Sequence, residues 1–558
     1  MYPEKVISVL VKRANVNATT PDNLVPLDLT KSPTTIRLLL AHGATPNYQQ
    51  AEKCLPHDLL KDQIGMAIKM FILGNPGVGK STLVKAISVE ARGLARIIHY
   101  FFRVRGVDVN TAGIIPHDIC SNTFGNTTIF DCAGHREYYA GHSAVLHNSM
   151  AGFPSIILLV VDMTDTDECF RETLQYWLEF INIHSDESSK PHLVIVGSHV
   201  DHCKRREEKI KLMVSTTKSL NLSGFTLKGS IAIDCRYAES ASMSQLRSLL
   251  SDSCQALRRS EQLALTDHCF LVFLLDKFKD HPAVTVGKVE QKIHETSEQE
   301  AHWSFMKFHN LFEICEQLNK RGNILFMKNA ESPKDSWIII DKTVLLSQIN
   351  GVIFAPKDFK QSAALDSSTG IVSRSTLISL FPKLDSDLIT KFLCHLELCQ
   401  EIIDPELLSF LQDESIQLPH DMFFLFPDLI NCEAPHAALQ GCTHFRYHAG
   451  WVLQTERYFT RRFNQVLLLR LAFKFAFVKT SVSFTPGLRM NCKIWKNGIS
   501  WFDRSGARAI VEIVNQNEVL LLVHSVERVD LAQLRCSVIR EVLKAKEEFC
   551  QKVLVMSG

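Results

Sequence analysis

At 558 residues the chain is too long for one hydrophobic core, and at roughly 100–200 residues per domain it divides into about three to five units. With 46% hydrophobic and 22% charged residues the composition excludes bulk disorder, and 61 Lys+Arg against 60 Asp+Glu leave a net charge of +1, which supplies no overall basic field for nucleic acid. The 16 cysteines are scattered from Cys54 to Cys550 without paired short spacings, and no apolar signal segment opens the chain, so a reducing cytoplasmic setting is expected rather than a disulfide framework. Cys394 and Cys399 around His395 come nearest to a metal pair, but they sit in an apolar helical run where free cysteine packs as a small hydrophobe. The apolar runs 156–161 and 466–477, the latter broken by Arg470 and Lys474, are too short or too charged to span a bilayer.

The first 50 residues contain an echo: Val9-Leu10 followed by Ala14-Asn15-Val16-Asn17 returns as Leu39-Leu40 followed by Ala44-Thr45-Pro46-Asn47. With Pro26-Leu27-Asp28-Leu29 between the copies and a helix ending at Gly43, the segment resembles the ankyrin repeat, in one full unit and the tail of another. Such units bury their apolar faces against neighbours, so the fragment is expected to continue a longer array or to lean on another domain. A polar linker, 51–65, follows.

From Met66 the character changes. Residues 67–73 read as a buried strand running into glycines, and strands at 128–130, 156–161, 193–196 and 230–233 alternate with helices at 169–183 and 242–259. This alternation over 66–260 predicts an α/β domain with a parallel sheet covered on both faces. Beyond it the pattern is less regular: 266–420 reads as helical and winged-helix-like, with a helix at 304–320 leading into 322–326, then 337–340, then a helix at 343–348. In 421–558 a β-meander is expected, with a hairpin at Lys496-Asn497-Gly498, strands at 509–514 and 519–523, and a closing helix at 531–553.

The chemistry-bearing motifs lie in 66–260. Gly74-Asn75-Pro76-Gly77-Val78-Gly79-Lys80-Ser81-Thr82 has the form G-x-x-x-x-G-K-[ST] at a strand-to-helix handover. In such a loop backbone N–H groups surround phosphate oxygens, Lys80 reaches the β and γ phosphates, and Ser81 ligates Mg2+. Pro76 lacks an N–H and stiffens the loop. The strand at 127–130 ends in Asp131-Cys132-Ala133-Gly134-His135, where Asp131 is suited to holding the metal and Gly134 to sensing the γ-phosphate. Thr111 between the two motifs can bring a second hydroxyl to the metal. The buried strand at 193–197 ends in Ser198-His199-Val200-Asp201, and a carboxylate at Asp201 can accept from the N1 and N2 donors of guanine, which adenine lacks. Asp234-Cys235-Arg236 is a weak match to a fourth, base-contacting loop.

Thr111-Ala112-Gly113-Ile114, the extension from Asp131 to Tyr139 and the His199-Val200-Asp201 motif together resemble the Roc domain of Roco proteins. Segments 337–356 and 370–402 and the 494–498 hairpin resemble the COR domain that accompanies it, and the order with ankyrin repeats ahead is similar to that of death-associated protein kinases. No His-Arg-Asp or Asp-Phe-Gly kinase signature occurs in this sequence. The resemblance implies an α/β, Ras-like P-loop GTPase at 66–260, preceded by an all-α ankyrin fragment at 1–50 and followed by an α+β COR domain in two halves, 266–420 and 421–558. It further implies GTP/GDP and Mg2+ as ligands, slow hydrolysis, dimerisation through COR and protein partners for the ankyrin part. The departure of Ser198 and His199 from the usual Asn-Lys pair is the main irregularity.

His135 stands where a water-orienting residue is expected, with Arg136 as an alternative charge stabiliser. Phe423, Phe424, Phe426 and 458–463 are candidates for either core or dimer contact. Two further readings remain open from the sequence: a scaffold that holds nucleotide without turnover, and an ATPase of the apoptotic-scaffold kind, against which Asp201 argues.

Overall fold

A computed structural model describes residues 15–21, 24–30, 35, 39, 44, 68–88, 111–121, 124–139, 141–142, 155–185, 190–220, 222–260, 265–299, 310–321, 323–329, 332–355, 365, 369–382, 384–403, 421–434, 445–455, 459, 461–476, 492–503, 505–515 and 517–549. The linker at 51–65 and most of the ankyrin-like segment lie outside these residues.

Strand β1 (Ile68–Leu73) is buried along its whole length and leads through the glycine-rich loop into helix α1 (Lys80–Ser88). Then follow β2 (Ile114–Ser121), β3 (Gly125–Cys132), β4 (Ile156–Asp162), α2 (Asp167–His184), β5 (His192–Ser198), α3 (Arg206–Ser219), β6 (Thr226–Ala232) and α4 (Ala241–Ser260). The strands form one six-stranded sheet in the order β2-β3-β1-β4-β5-β6. All pairings are parallel except that of β2 with β3, so the expected parallel sheet carries an antiparallel edge. The sequence reading missed β2 because Ile-Ile-Pro-His-Asp-Ile-Cys-Ser holds a proline and polar residues, a composition confined to edges. The direction of winding reverses at β1, between β3 and β4, and in open α/β sheets that is where ligands bind.

Side-chain alternation along β1 explains both layers. Ile68, Met70 and Ile72 face α1 and α4, packing with Leu83, Ile87, Leu246 and Leu250. Phe71 and Leu73 face α2 and, beyond it, apolar residues from far along the chain such as Leu346, Ile353 and Phe392. The second face of the sheet is therefore covered partly by the region that follows the α/β unit. Lys69 is buried and reaches into that region, donating to the Lys320 carbonyl at 2.6 Å. Burial, then the nearby Lys342, push its ammonium down to about 7.

That following region begins with α5 (Leu265–Lys277), β7 (Ala283–Thr285), α6 (Val286–Gln299), α7 (Leu311–Lys320), β8 (Leu325–Met327) and β9 (Trp337–Ile339). Leu27, Leu39 and Ala44 of the ankyrin-like segment are buried in one cluster with Phe270, Phe273 and Ile338 of these elements. Where a helix was expected at 343–348, a π-helical turn (Val344–Ile349) runs into the short α8 (Asn350–Ile353). Next come β10 (Ile371–Ser373), α9 (Arg374–Leu380), α10 (Ser386–His395), β11 (Gln400–Ile402) and β12 (Phe423–Leu425). Phe423 and Leu425 join the C-terminal core while Phe424 and Phe426 join that of the α/β unit, so these aromatics are core residues linking two clusters.

In the C-terminal part β13 (Tyr447–Gln454) is followed by α11 (Arg461–Leu471), a helix within the tail that reads as mainly β in the sequence. The expected hairpin forms as β14 (Lys493–Trp495) and β15 (Gly498–Phe502), and β16 (Arg508–Asn515) and β17 (Glu518–Ser525) complete a five-stranded antiparallel sheet. Helix α12 (Arg528–Phe549) packs on it through Leu531, Leu534, Val538 and Val542.

Candidate functional site

All three glycines of the loop after β1 have positive φ: 142° at Gly74, 77° at Gly77 and 90° at Gly79. This is backbone that L side chains avoid, and it lets successive amides curl inward. A Cβ on Gly74 would also stand 2.2 Å from the Val160 carbonyl oxygen. Pro76 and Gly77 are exposed, while Val78 is buried and anchors the loop. Lys80 folds back across the loop and donates to the carbonyls of Gly74 at 2.9 Å and Asn75 at 2.7 Å. Burial pushes this ammonium down to about 8, with Asp131 and Cys132 pulling the other way. Thr82 lies one residue beyond Ser81 in α1, half-buried.

Ser81, Thr111 and Asp131, distant in sequence, converge at the end of the loop. Ser81 Oγ donates to Asp131 Oδ2 at 2.6 Å and lies 2.8 Å from Thr111 Oγ1, which is itself 3.4 Å from Asp131 Oδ2. Asp131 is only 2% exposed, and its Oδ1 is buried without a hydrogen-bond partner. Burial raises its carboxyl above the ordinary range; hydrogen bonds from Ser81 and Thr111 and the charges of Lys80 and His117 act against this. Two hydroxyls and a carboxylate with a spare buried oxygen form a hard oxygen set that suits Mg2+.

Gly134 lies directly on the phosphate loop. A Cβ there would come within 2.3 Å of Pro76 N, 2.5 Å of the Asn75 carbonyl carbon and 2.6 Å of Lys80 Nζ, so no larger residue fits. Its carbonyl accepts from Tyr139 Oη at 3.0 Å. His135 follows, half-buried, and Arg136 is exposed. The segments around Thr111 and Gly134 are joined by Ala133 N–H donating to the Gly113 carbonyl at 2.9 Å, with His142 Nε2 3.1 Å from the same oxygen. Both rest on two adjoining elements of the following region. A Cβ on Gly113 would lie 2.6 Å from the Leu346 carbonyl oxygen in the π-helical turn, and Tyr138 Oη donates to the Gly351 carbonyl at 3.3 Å in α8.

The base-side residues arrive from three loops. His199 has φ 53°, a strained conformation for a residue with a Cβ, and its Nδ1 lies 2.8 Å from Asp162 Oδ2 at the end of β4. A Cβ on Gly79 would be 3.9 Å from His199 Nε2 and 3.8 Å from Cys235 Sγ, so these loops meet the phosphate loop at its helical end. Asp201 Oδ2 accepts from Arg236 Nη2 at 2.5 Å and lies 3.0 Å from His202 Nε2. Arg236 also binds Asp234 at 2.7 Å.

Sequence reasoning overlooked three supports of this site. The Asn75 side chain is clamped by α2, accepting from Trp177 Nε1 at 3.0 Å and donating to Thr173 Oγ1 at 3.3 Å. Arg236 was not linked to Asp201. Arg461, at the start of α11, donates from Nη1 to the Arg136 carbonyl at 2.9 Å and from Nε to Asp428 Oδ1 at 2.7 Å. It borders a cleft of about 560 Å³ between the α/β unit and the C-terminal part, lined also by Asn75, Arg136, Tyr139 and Lys496. Spacing along a chain carries no signal for such contacts. The sequence shows polarity there, Arg461 and Arg462 standing ahead of the apolar run at 466–477.

Residues 69–201 match the family model described as Ras of Complex, Roc, domain of DAPkinase. A probable serine/threonine-protein kinase, roco11 of Dictyostelium discoideum, is 28% identical over 143 residues, which span 26% of this chain and 9% of that protein. Among solved structures, a GTP-binding protein from Sulfolobus solfataricus in complex with GDP is 15% identical, covering 46% of this chain and 68% of that one at a TM-score of 0.24. The S. cerevisiae Ski7 GTPase-like domain, bound to GDP and inorganic phosphate, is 14% identical over 38% of this chain and 53% of that one at 0.26. The matched family segment holds the phosphate loop, Asp131, Gly134 and the Asp201 motif, and with the sheet described above it gives this part of the chain the α/β fold of P-loop GTPases.

Proposed function

We propose that the chain is a Roco-type molecular switch that binds GTP with Mg2+ and hydrolyses it slowly to GDP and phosphate, its Roc domain at 66–260 acting on a COR domain in 266–558. The observation that carries this reading is the convergence of Ser81, Thr111 and Asp131 beside Lys80, with Gly134 packed on the same loop. Gly74, Asn75, Gly77, Val78, Gly79 and Thr82 form the phosphate cradle, in which Pro76 offers no N–H. Lys80 exchanges its carbonyl contacts for phosphate oxygens. Ser81, Thr111 and Asp131 would hold the metal, which would neutralise charge on the phosphates. Asp201 reads guanine, with His199 placing its loop, and His135 positions the attacking water while Gly134 senses the terminal phosphoryl group.

The support for switching is mechanical. The loops bearing Thr111 and Gly134 both touch 344–353, so a change at the phosphate is felt outside the α/β unit. Dimerisation through COR, partner binding through the ankyrin-like segment and a signalling role in the cytoplasm belong to this proposal. Among the described residues no helix is long and apolar enough to cross a membrane. The test is to purify the chain and follow GTP to GDP with Mg2+ in the parent, Lys80→Ala and His135→Ala. Turnover in the parent that disappears in Lys80→Ala is the expected result. Tight GTP binding without turnover in the parent would favour the scaffold instead, and equal competition by ATP would remove the guanine reading.

A further inference from the structure

Helix α10 ends in a turn that folds one cysteine back onto another. Its C-terminus is closed by two hydrogen bonds, Leu398 N–H to the Leu393 carbonyl at 2.9 Å and Glu397 N–H to the Cys394 carbonyl at 2.9 Å, with Glu397 in the left-handed region at φ 49°. This is the Schellman arrangement, in which the chain reverses across the last helical turn. Glycine usually takes the left-handed position; here glutamate does, which costs about 1–2 kcal/mol. The reversal brings Cys399, just before β11, over Cys394 in the last turn of α10, with their sulfurs 3.8 Å apart. Both are free thiols.

The two differ in a way that assigns them roles. Cys394 is half-buried and Cys399 is 1% exposed. A hydrogen bond from Cys399 draws the Cys394 thiol below its ordinary range, while burial pushes Cys399 up. Buried thiols elsewhere, such as Cys269 and Cys492, are pushed up to about 12 by burial alone. Cys394 thus has the access of an attacking thiol, and Cys399, beneath it, the shelter of a resolving one.

We propose that Cys394 and Cys399 are a redox-modification site that forms a reversible intramolecular disulfide by exchange with a low-molecular-weight disulfide such as oxidised glutathione. The Cys394 thiolate attacks one sulfur of the glutathione disulfide, forming a mixed disulfide and expelling one glutathione thiolate. Cys399, losing its proton to solvent, attacks Cys394 Sγ and expels the second. The protein gives up two electrons and two protons, and one glutathione disulfide becomes two glutathione thiols. Closing the gap from 3.8 Å to the bond length of about 2.05 Å is within reach of side-chain rotation and a small shift of the turn. The site also adjoins the C-terminal part, because the Leu398 carbonyl accepts from Gln465 Nε2 at 2.9 Å and Glu397 lies 3.5 Å from Arg470, both in α11. The inference does not depend on nucleotide binding.

The experiment is to incubate the full-length chain with oxidised glutathione, block remaining thiols by alkylation and map the peptides by mass spectrometry. The expected result is that alkylation of both Cys394 and Cys399 falls at least about tenfold, with the fragment holding them lighter by two hydrogens, and that reduced glutathione restores both. Cys399→Ser should trap glutathione on Cys394, and Cys394→Ser should leave Cys399 unmodified. The inference is overturned if, in the unmutated protein, exposed Cys169 and Cys536 take up glutathione while Cys394 and Cys399 alkylate as fully as untreated controls, or if Cys394 holds glutathione without closing on Cys399. Because the decisive measurement is made on the unmutated chain, a serine variant that misfolds does not remove the test.

Discussion

The two ends of the candidate nucleotide site are built on different principles. At the phosphate end, the contacts come from a backbone loop with three positive-φ glycines and from short, buried side chains held within 3.4 Å of one another. At the base end, the proposed reader is one carboxylate, Asp201, whose side chain is 27% exposed and already paired with Arg236 and His202. The proposed phosphate end is thus compact and local, while the proposed base end depends on side chains from separate loops that hold one another. The phosphate end should therefore govern whether anything binds, and the base end which nucleotide does.

The largest expected effect tests that division directly. Asp201→Ala removes the proposed acceptor for two guanine donors, each a hydrogen bond to a charged group, so the preference for GTP over ATP should fall by a factor on the order of 10³. ATP affinity should hardly change, and competition binding with both nucleotides reads the two numbers separately. Lys80→Ala acts on the other end: affinity for GTP should drop about 100-fold, with the ratio of GTP to ATP binding preserved. If Asp201→Ala weakened both nucleotides alike, the proposed division between the ends would be wrong.

The same contrast explains what the sequence made legible. The phosphate end was readable because its chemistry depends on spacing: glycines where φ is positive, Lys80 and Ser81 at the helix start, Asp131 at a strand end. Sheet strands were readable where they were uniformly apolar, as in β4 and β5, but β2 was hidden by its proline and polar edge composition. Asp201 could be named, yet its link to Arg236 could not, since 35 residues separate them and only the return of β6 beside β5 brings them together. The resting of Gly113 and Tyr138 on 344–353 was invisible for the same reason, and there an expected plain helix became a π-helical turn. The Leu346 carbonyl of that turn is the atom a Cβ on Gly113 would strike, at 2.6 Å.

Arg461 extends the phosphate end toward the C-terminal part. Through its bond to the Arg136 carbonyl it holds the chain one residue past His135, so Arg461→Gln should lower turnover about tenfold while leaving GTP affinity within twofold, as expected for one charge-assisted hydrogen bond to backbone. Steady-state turnover measured beside equilibrium binding separates the two. Recovery in Arg461→Lys would point to charge alone and weaken the case for a directed, two-ended strut.

His142 gives the phosphate end a pH dependence. Burial, with a smaller push from Lys80, lowers its imidazole from 6.5 to about 4, while the Gly113 carbonyl acts in the opposite direction. The folded form therefore binds its proton less readily than the unfolded chain does. The corresponding stability is fully present above about pH 6.5 and is lost as the pH falls toward 4. His192 is lowered in the same window, so the diagnostic quantity is the difference between parent and His142→Phe in thermal unfolding at pH 7 and pH 5. The variant should show the shallower loss on acidification.

The smallest expected effect is at Arg236. Its guanidinium is 47% exposed, and exposed ion pairs contribute about 0–1 kcal/mol, so Arg236→Ala should change GTP affinity by less than about fivefold. The direction follows from geometry. Arg236 occupies Oδ2 of Asp201 while also binding Asp234, so it fixes the carboxylate's orientation and at the same time competes with guanine for one of its oxygens. Oδ2 already faces both Arg236 and His202, so guanine is expected to use mainly Oδ1; orientation should then win and the variant should bind GTP slightly more weakly, with a faster dissociation rate and an unchanged association rate. Tighter binding in Arg236→Ala would mean that competition dominates and that this arginine must swing away before guanine enters, which would make the base end a gate rather than a preformed reader.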